Sequence, residues 1–157
     1  MSDSAASEIL VQGASALAHA EPEPGLEALL RVVAEELGIE SAVIVVPSGP
    51  SGHLAIVAAH GLGVPAEAGL TAALRNPDHP VARTLRDPVA SFDVPPSQPG
   101  GPALRSHLPV TVTRAGTVQV LGVLALAHHA PMGAGSRRSL GAVADLAALA
   151  LERSRPA

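Results

Sequence analysis

The sequence predicts a single α+β domain, a central antiparallel sheet of about five or six strands with helices packed on one face. Three stretches point to it. From Leu108 to Thr113 apolar Leu108, Val110 and Val112 alternate with Thr111 and Thr113, the period of two expected of a half-buried strand. The return run, Val118 to Ala127, is apolar on both faces from Leu121 onward, so it needs cover above and below and belongs mid-sheet. Leu140 to Leu151 carries Asp145 as its only charged residue. A helix that apolar nearly all the way round can lie on a sheet with one side and on a second helix with another.

Taken in order, residues 1–25 form an appendage to the core. Ala5 to Ala20 holds a weak helical stripe (Ile9, Leu10, Ala16, Leu17), which Glu21-Pro22-Glu23-Pro24-Gly25 interrupts, because prolines and glycine do not continue a helix. The domain proper spans residues 26–155. Leu26 to Leu37 is its clearest helix, with Leu26, Leu29, Leu30, Val33 and Leu37 on one face and Glu27, Arg31 and Glu35 opposite. The Glu27–Arg31 pair adds about 0.3 kcal/mol, and Gly38 follows as the C′ residue. Ser41 to Val46 and Leu54 to His60 read as strands around a Ser48 to Gly52 turn. Gly61 to Pro102 is the least regular part of the chain and rich in proline. Within it Pro80 to Arg86 suits a short helix with proline in its first turn, and Pro88 to Phe92 a short edge strand. Arg114-Ala115-Gly116 turns the last hairpin, with Gly116 free to take a positive φ. Ser136 is the expected N-cap of the final helix.

A chain of 157 residues has room for one domain with a respectable core. Its 47% hydrophobic and 15% charged residues describe a globular protein. There is no cysteine, hence no disulfide, thiolate nucleophile or cysteine-based zinc site. All ten basic residues are arginine, which removes Schiff-base chemistry and the P-loop lysine. Phe92 is the only aromatic residue, too little to stack single-stranded nucleic acid. Residues 1–40 carry a net charge of −7 and the remainder +3, with the arginines scattered rather than striped, so no nucleic-acid partner is expected. With no signal-like start and no apolar run approaching ~18 residues, the expectation is a cytoplasmic protein with no membrane partner.

Leu104-Arg105-Ser106-His107-Leu108, Val120-Leu121-Gly122-Val123-Leu124-Ala125-Leu126-Ala127-His128 and the Leu140 to Arg153 helix together resemble the C-terminal half of a GAF domain. The resemblance extends over about residues 26–153. It implies a GAF/PAS-like sheet whose second face is covered by the loops and short helices of Gly61 to Pro102, enclosing a pocket. It also implies a sensory or regulatory role without catalysis. A roadblock-type domain is the runner-up for the opening helix and strands, but fits the C-terminal half poorly. Family members that bind bilins or reduce methionine sulfoxide need cysteines, and none is present. The cyclic-nucleotide pattern of Asn-Lys followed by Phe-x-x-x-Asp-Glu fails as well, since Asn76 precedes Pro77 and Phe92 precedes Asp93-Val94-Pro95-Pro96. Arg137 and Arg138 depart from the acids usual in the first turn of the last helix, where positive charge opposes the helix dipole.

The residues assigned to ligand binding are His60, His79, Arg83, Phe92, Arg105, Ser106 and His107. Arg83 and Arg86, three apart on the short helix, share a face, read first as a solvated helix face and second, with His79 a turn earlier, as suited to an anionic group over the pocket. Arg105 and Ser106 match an Arg-Ser that the family often carries on entering this strand, where the two side chains either line the cavity or serve as structural hydrogen-bonding groups. His60, His79, His107, His128 and His129 are read first as solvated or hydrogen-bonded side chains and second as metal or haem ligands. Ser106 and His107 are neighbours on a strand and face apart, which argues against a nucleophile and base pair. No catalytic residue, metal site or cofactor is assigned. The leading expectation is a small-molecule or signalling module that dimerises through its N- and C-terminal helices, whose apolar surface exceeds what one sheet can use. A scaffold without ligand and a haem- or metal-binding sensor are the alternatives.

Overall fold

The computed structural model describes residues 22–48, 52–95 and 104–154, together with Ile9. The chain runs α1 (Pro22–Leu37), β1 (Ile39–Ser48), β2 (His53–His60), α2 (Val64–Ala73), α3 (Pro80–Arg86), β3 (Ser91–Val94), β4 (Leu104–Arg114), β5 (Thr117–His128) and α4 (Ala134–Ser154). The expected helix over Ala5 to Ala20 lies outside the described residues, except for Ile9, which is fully buried in the main core.

The five strands form one sheet in the order β2-β1-β5-β4-β3, every neighbour antiparallel. The two-sided apolar strand therefore does sit mid-sheet. Ile44, Leu124 and Leu108 stand opposite one another across β1, β5 and β4. They pack on the helical side with Leu29, Leu30 and Val33 of α1 and Leu140, Val143 and Ala147 of α4. The intervening residues Val43, Val45 and Val123 face the other way, against Leu74 and Val81. Alternation along β1 and β5 thus fills two cores from one sheet, as continuous apolar runs require. Gly122 lets β1 and β5 approach: a Cβ there would lie 2.5 Å from the Val45 carbonyl oxygen.

Several boundaries differ from the sequence expectation, each for a local reason. Helix α1 starts at Pro22, not Leu26, because proline is accepted in a first turn whose N–H groups have no helical partner. Strand β1 continues through Pro47, which pairs with Leu54 of β2. Its pairing with β5 ends at Val45, so the missing N–H falls where one side of β1 is already an edge. Strand β3 forms at Ser91–Val94 rather than Pro88 to Phe92. Helix α4 begins two residues ahead of Ser136, with the Arg137 N–H bonded to the Gly133 carbonyl, which places Ser136 inside the first turn. Helix α2 had no sequence signal: it buries no residue, so it shows no apolar stripe and rests on proline at its start and its alanines. The β4–β5 turn has positive φ at both Ala115 and Gly116, the two-residue geometry that matches strand twist.

Candidate functional site

The seven assigned residues separate onto the two faces of the sheet. His107 stands opposite Ala125, which packs on the α2/α3 side, and Arg105, two residues away, shares that face. Helix α3 lies above them. Its N-cap is His79, whose Nδ1 accepts the Val81 N–H at 3.1 Å, while the Thr84 hydroxyl donates to the Pro80 carbonyl. Ser91 Oγ of β3 reaches to 3.5 Å from His107 Nδ1. Burial holds His107 down at a pKa of about 4, with His79 and then Arg105 adding to the effect. His79 is lowered by burial and by Arg105. At neutral pH both rings are therefore uncharged beside a permanent cation. Arg83 projects from α3 into solvent.

Ser106 stands opposite Leu126 and so faces the helical layer. It is fully buried, and His128 is buried with it. His128 Nδ1 lies 2.8 Å from the Ala130 carbonyl oxygen, which can only accept, so Nδ1 carries the proton. Nε2 then accepts from the Ser106 hydroxyl at 2.7 Å, and Ser106 Oγ in turn accepts the Asp93 N–H at 3.2 Å. This serine and histidine have the polarity of a nucleophile and base, but no substrate reaches them. Their chemistry is that of a satisfied buried network.

Asp93 extends the network to α4. At φ 59° its carboxylate turns toward the helix start, accepting the Met132 N–H at 2.9 Å and Arg137 Nη2 at 3.0 Å. The Met132 bond first, and Arg137 after it, hold the carboxyl below its usual range. Arg137 also donates Nε to the Met132 carbonyl and lies 4.6 Å above the Phe92 ring centroid. The cation that looked misplaced at a helix N-terminus is thus matched by an aspartate 44 residues away in sequence. Phe92 packs under it against the main core, on the side away from His107. His60 pairs with Ala42, whose face is covered by the helical layer. The structure therefore brings together His79, Arg105 and His107, leaves Arg83 above them, and places His60, Phe92 and Ser106 on the opposite side.

A cavity of about 620 Å³ opens elsewhere on the α2/α3 face, at the turn end of the β1–β2 hairpin. Pro47, Leu54, Leu74 and Leu85 give it apolar walls. Its charged lining among the described residues is Arg75, just beyond α2, and Arg86, at the end of α3, with His53 and Thr71 also present. None of the seven assigned residues lines it. Arg86 had a signal, its spacing from Arg83. Arg75 had none, because α2 presents no periodic pattern. Among the described residues no group of three or more His, Asp or Glu could hold a metal ion.

No protein-family model matches the sequence, and no curated protein matches it. Solved structures do match over nearly the whole chain. The GAF domain of an Acinetobacter phosphoenolpyruvate-protein phosphotransferase superposes with a TM-score of 0.75 at 14% identity, covering 98% of this chain and 96% of that one. This chain has the fold of a GAF domain. The free methionine-R-sulfoxide reductase of Neisseria meningitidis, solved with its substrate, shares the fold at TM-score 0.72 and 18% identity, over 99% and 94% of the two chains. The second GAF domain of DevS from Mycobacterium smegmatis matches at TM-score 0.56 and 25% identity, over 80% and 91%. The GAF resemblance drawn from β4, β5 and α4 thus holds for the fold, with α1 and α4 behind the sheet and α2 and α3 in front. No helix among the described residues is long and apolar enough to cross a membrane.

Proposed function

We propose that this GAF-fold chain is a non-catalytic sensory or regulatory module that takes a small molecule in the cavity between the β1–β2 hairpin, α2 and α3. The observation that carries the proposal is the cavity itself, a half-open cleft of about 620 Å³ in which Pro47, Leu54, Leu74 and Leu85 stand beside His53, Thr71 and two arginines, a concave mix of apolar and polar groups that can take a small molecule. Absence of catalysis is supported by the sealed state of Ser106 and His128 and by a sequence without cysteine or lysine. The test is ligand-dependent stability. A metabolite panel should contain compounds that raise the melting temperature by mass action, and Leu85→Trp, which fills the hollow, should abolish the rise. A panel with no stabilising compound would defeat the proposal.

One observation favours a second reading, a dimerisation scaffold without ligand. Val43, Val45, Val81 and Val123 close the middle of the α2/α3 face with the chain's own side chains, leaving the cavity to one edge. Either role is compatible with a homodimer through the terminal helices, and Leu149, 61% exposed on α4, is the apolar residue we place at that contact. Light scattering at micromolar concentration should give twice the chain mass, and Leu149→Glu should halve it. A monomeric wild type would end the scaffold reading.

A further inference from the structure

The cavity carries one sign of charge. Among the described residues its ionic lining is Arg75 and Arg86, and no carboxylate joins them. Neither arginine takes part in the ion pairs of the described residues, which are Arg114–Glu152, His129–Glu40 and Arg137–Asp93. Glu67, the nearest acid along α2, does not line this cavity but an adjoining recess, which shares Thr71 and Arg75 with it. Two guanidinium groups beside walls of Pro47, Leu54, Leu74 and Leu85 offer charge-assisted hydrogen bonds to an anion next to apolar surface. The body of the ligand is constrained as well. Phe92, the chain's one Phe, Tyr or Trp, sits under Arg137 on the helical side, so the apolar walls of the cavity are aliphatic, Pro47, Leu54, Leu74 and Leu85, and favour an aliphatic body.

Building on the ligand-binding role proposed for this cavity, we infer that its occupant is an aliphatic amphipath with an acidic head, a carboxylate or a phosphate monoester. Arg75 and Arg86 hold the head, and Leu54, Leu74 and Leu85 cover the chain. The competing role for both arginines is local: each follows or ends a helix, where a cation offsets the C-terminal dipole. That role stabilises the free protein and is indifferent to any ligand's head group.

Four eight-carbon probes separate these possibilities: octanoate, octyl phosphate, octan-1-ol and octylammonium, titrated by calorimetry into the full chain, with inorganic phosphate as a fifth. Octanoate and octyl phosphate should bind, octanol about tenfold more weakly, and octylammonium and inorganic phosphate not measurably. Preference for one acidic probe over the other assigns the head as carboxylate or phosphate. Arg75→Gln/Arg86→Gln should bring octanoate down to the level of octanol without altering octanol binding. Arg83→Gln, on the same helix but outside the cavity, should leave every titration unchanged. Equal binding of octanol and octanoate to the wild type would overturn the acidic head while leaving the cavity in use. Equal loss in Arg83→Gln would overturn it too, by showing that general charge suffices. Binding of no alkyl probe, while ring-bearing compounds from the metabolite panel still stabilise the protein, would overturn the aliphatic body alone. If no probe and no panel compound binds, the ligand-binding role falls with it.

Discussion

Acidification from pH 7 to pH 5 should destabilise the fold through His107. The ring lies between α3 and β4, 5% exposed, and its pKa falls from 6.5 to about 4. The unfolded chain therefore takes up a proton before the folded one does. The stability tied to the neutral ring is fully present above 6.5 and is lost as pH drops through the window from 6.5 to 4. The whole window corresponds to about 3 kcal/mol, and about 2 kcal/mol of it is gone by pH 5. His79 contributes in the same direction, since its pKa is also lowered. Arg105 stays charged throughout, and Ser91 does not titrate. With no Trp or Tyr in the chain, urea unfolding is best followed by far-UV circular dichroism, at pH 7 and pH 5, for wild type and His107→Leu. The wild type should lose about 2 kcal/mol more than the variant between the two pH values. Equal pH dependence in the two proteins, or a wild type more stable at pH 5, would refute the account of a neutral buried ring.

Other perturbations test the network and the sheet. Asp93→Asn keeps a residue tolerant of positive φ but removes the charge facing Arg137 and Met132. It should cost about 1 to 3 kcal/mol in urea unfolding at pH 7, and the cost should shrink once the wild-type carboxyl is itself protonated, below its lowered pKa. Gly122→Ala would drive a Cβ to 2.5 Å from the Val45 carbonyl oxygen, so β1 and β5 must part. Thermal unfolding should show a loss of about 2 to 3 kcal/mol. Ala115→Gly relieves a left-handed alanine at φ 50° and should raise stability by about 0.5 to 1 kcal/mol in the same assay.

Much of the architecture could be read from residue patterns because the patterns are local. The stripe of Leu26, Leu29, Leu30 and Val33 makes α1 at whatever position the rest of the chain adopts. The unbroken apolar run from Leu121 to Ala127 can be satisfied only between two layers, whatever its neighbours are. Positive φ at Gly38 and Gly116 follows from what glycine permits at a helix end and in a hairpin. Helix α2 escaped notice for the same reason: with none of its residues buried, it writes no period into the sequence.

The site was not legible in that way. Alternation says that Ser106 and His107 face apart, but not which of them meets the helical layer. That follows from pairing of Ser106 with Leu126 and of His107 with Ala125, and from register shifts such as the one between Val110 and Thr111 that no local pattern announces. The bonds that settle the roles of Arg137 and Ser106 span 44 and 22 residues of sequence, and the cavity joins a hairpin end to two helix ends. Sequence by itself determined the fold, because burying apolar surface is a short-range demand of each segment. Tertiary structure alone decided which polar groups meet, because a hydrogen bond or a cavity wall depends on where distant segments come to rest.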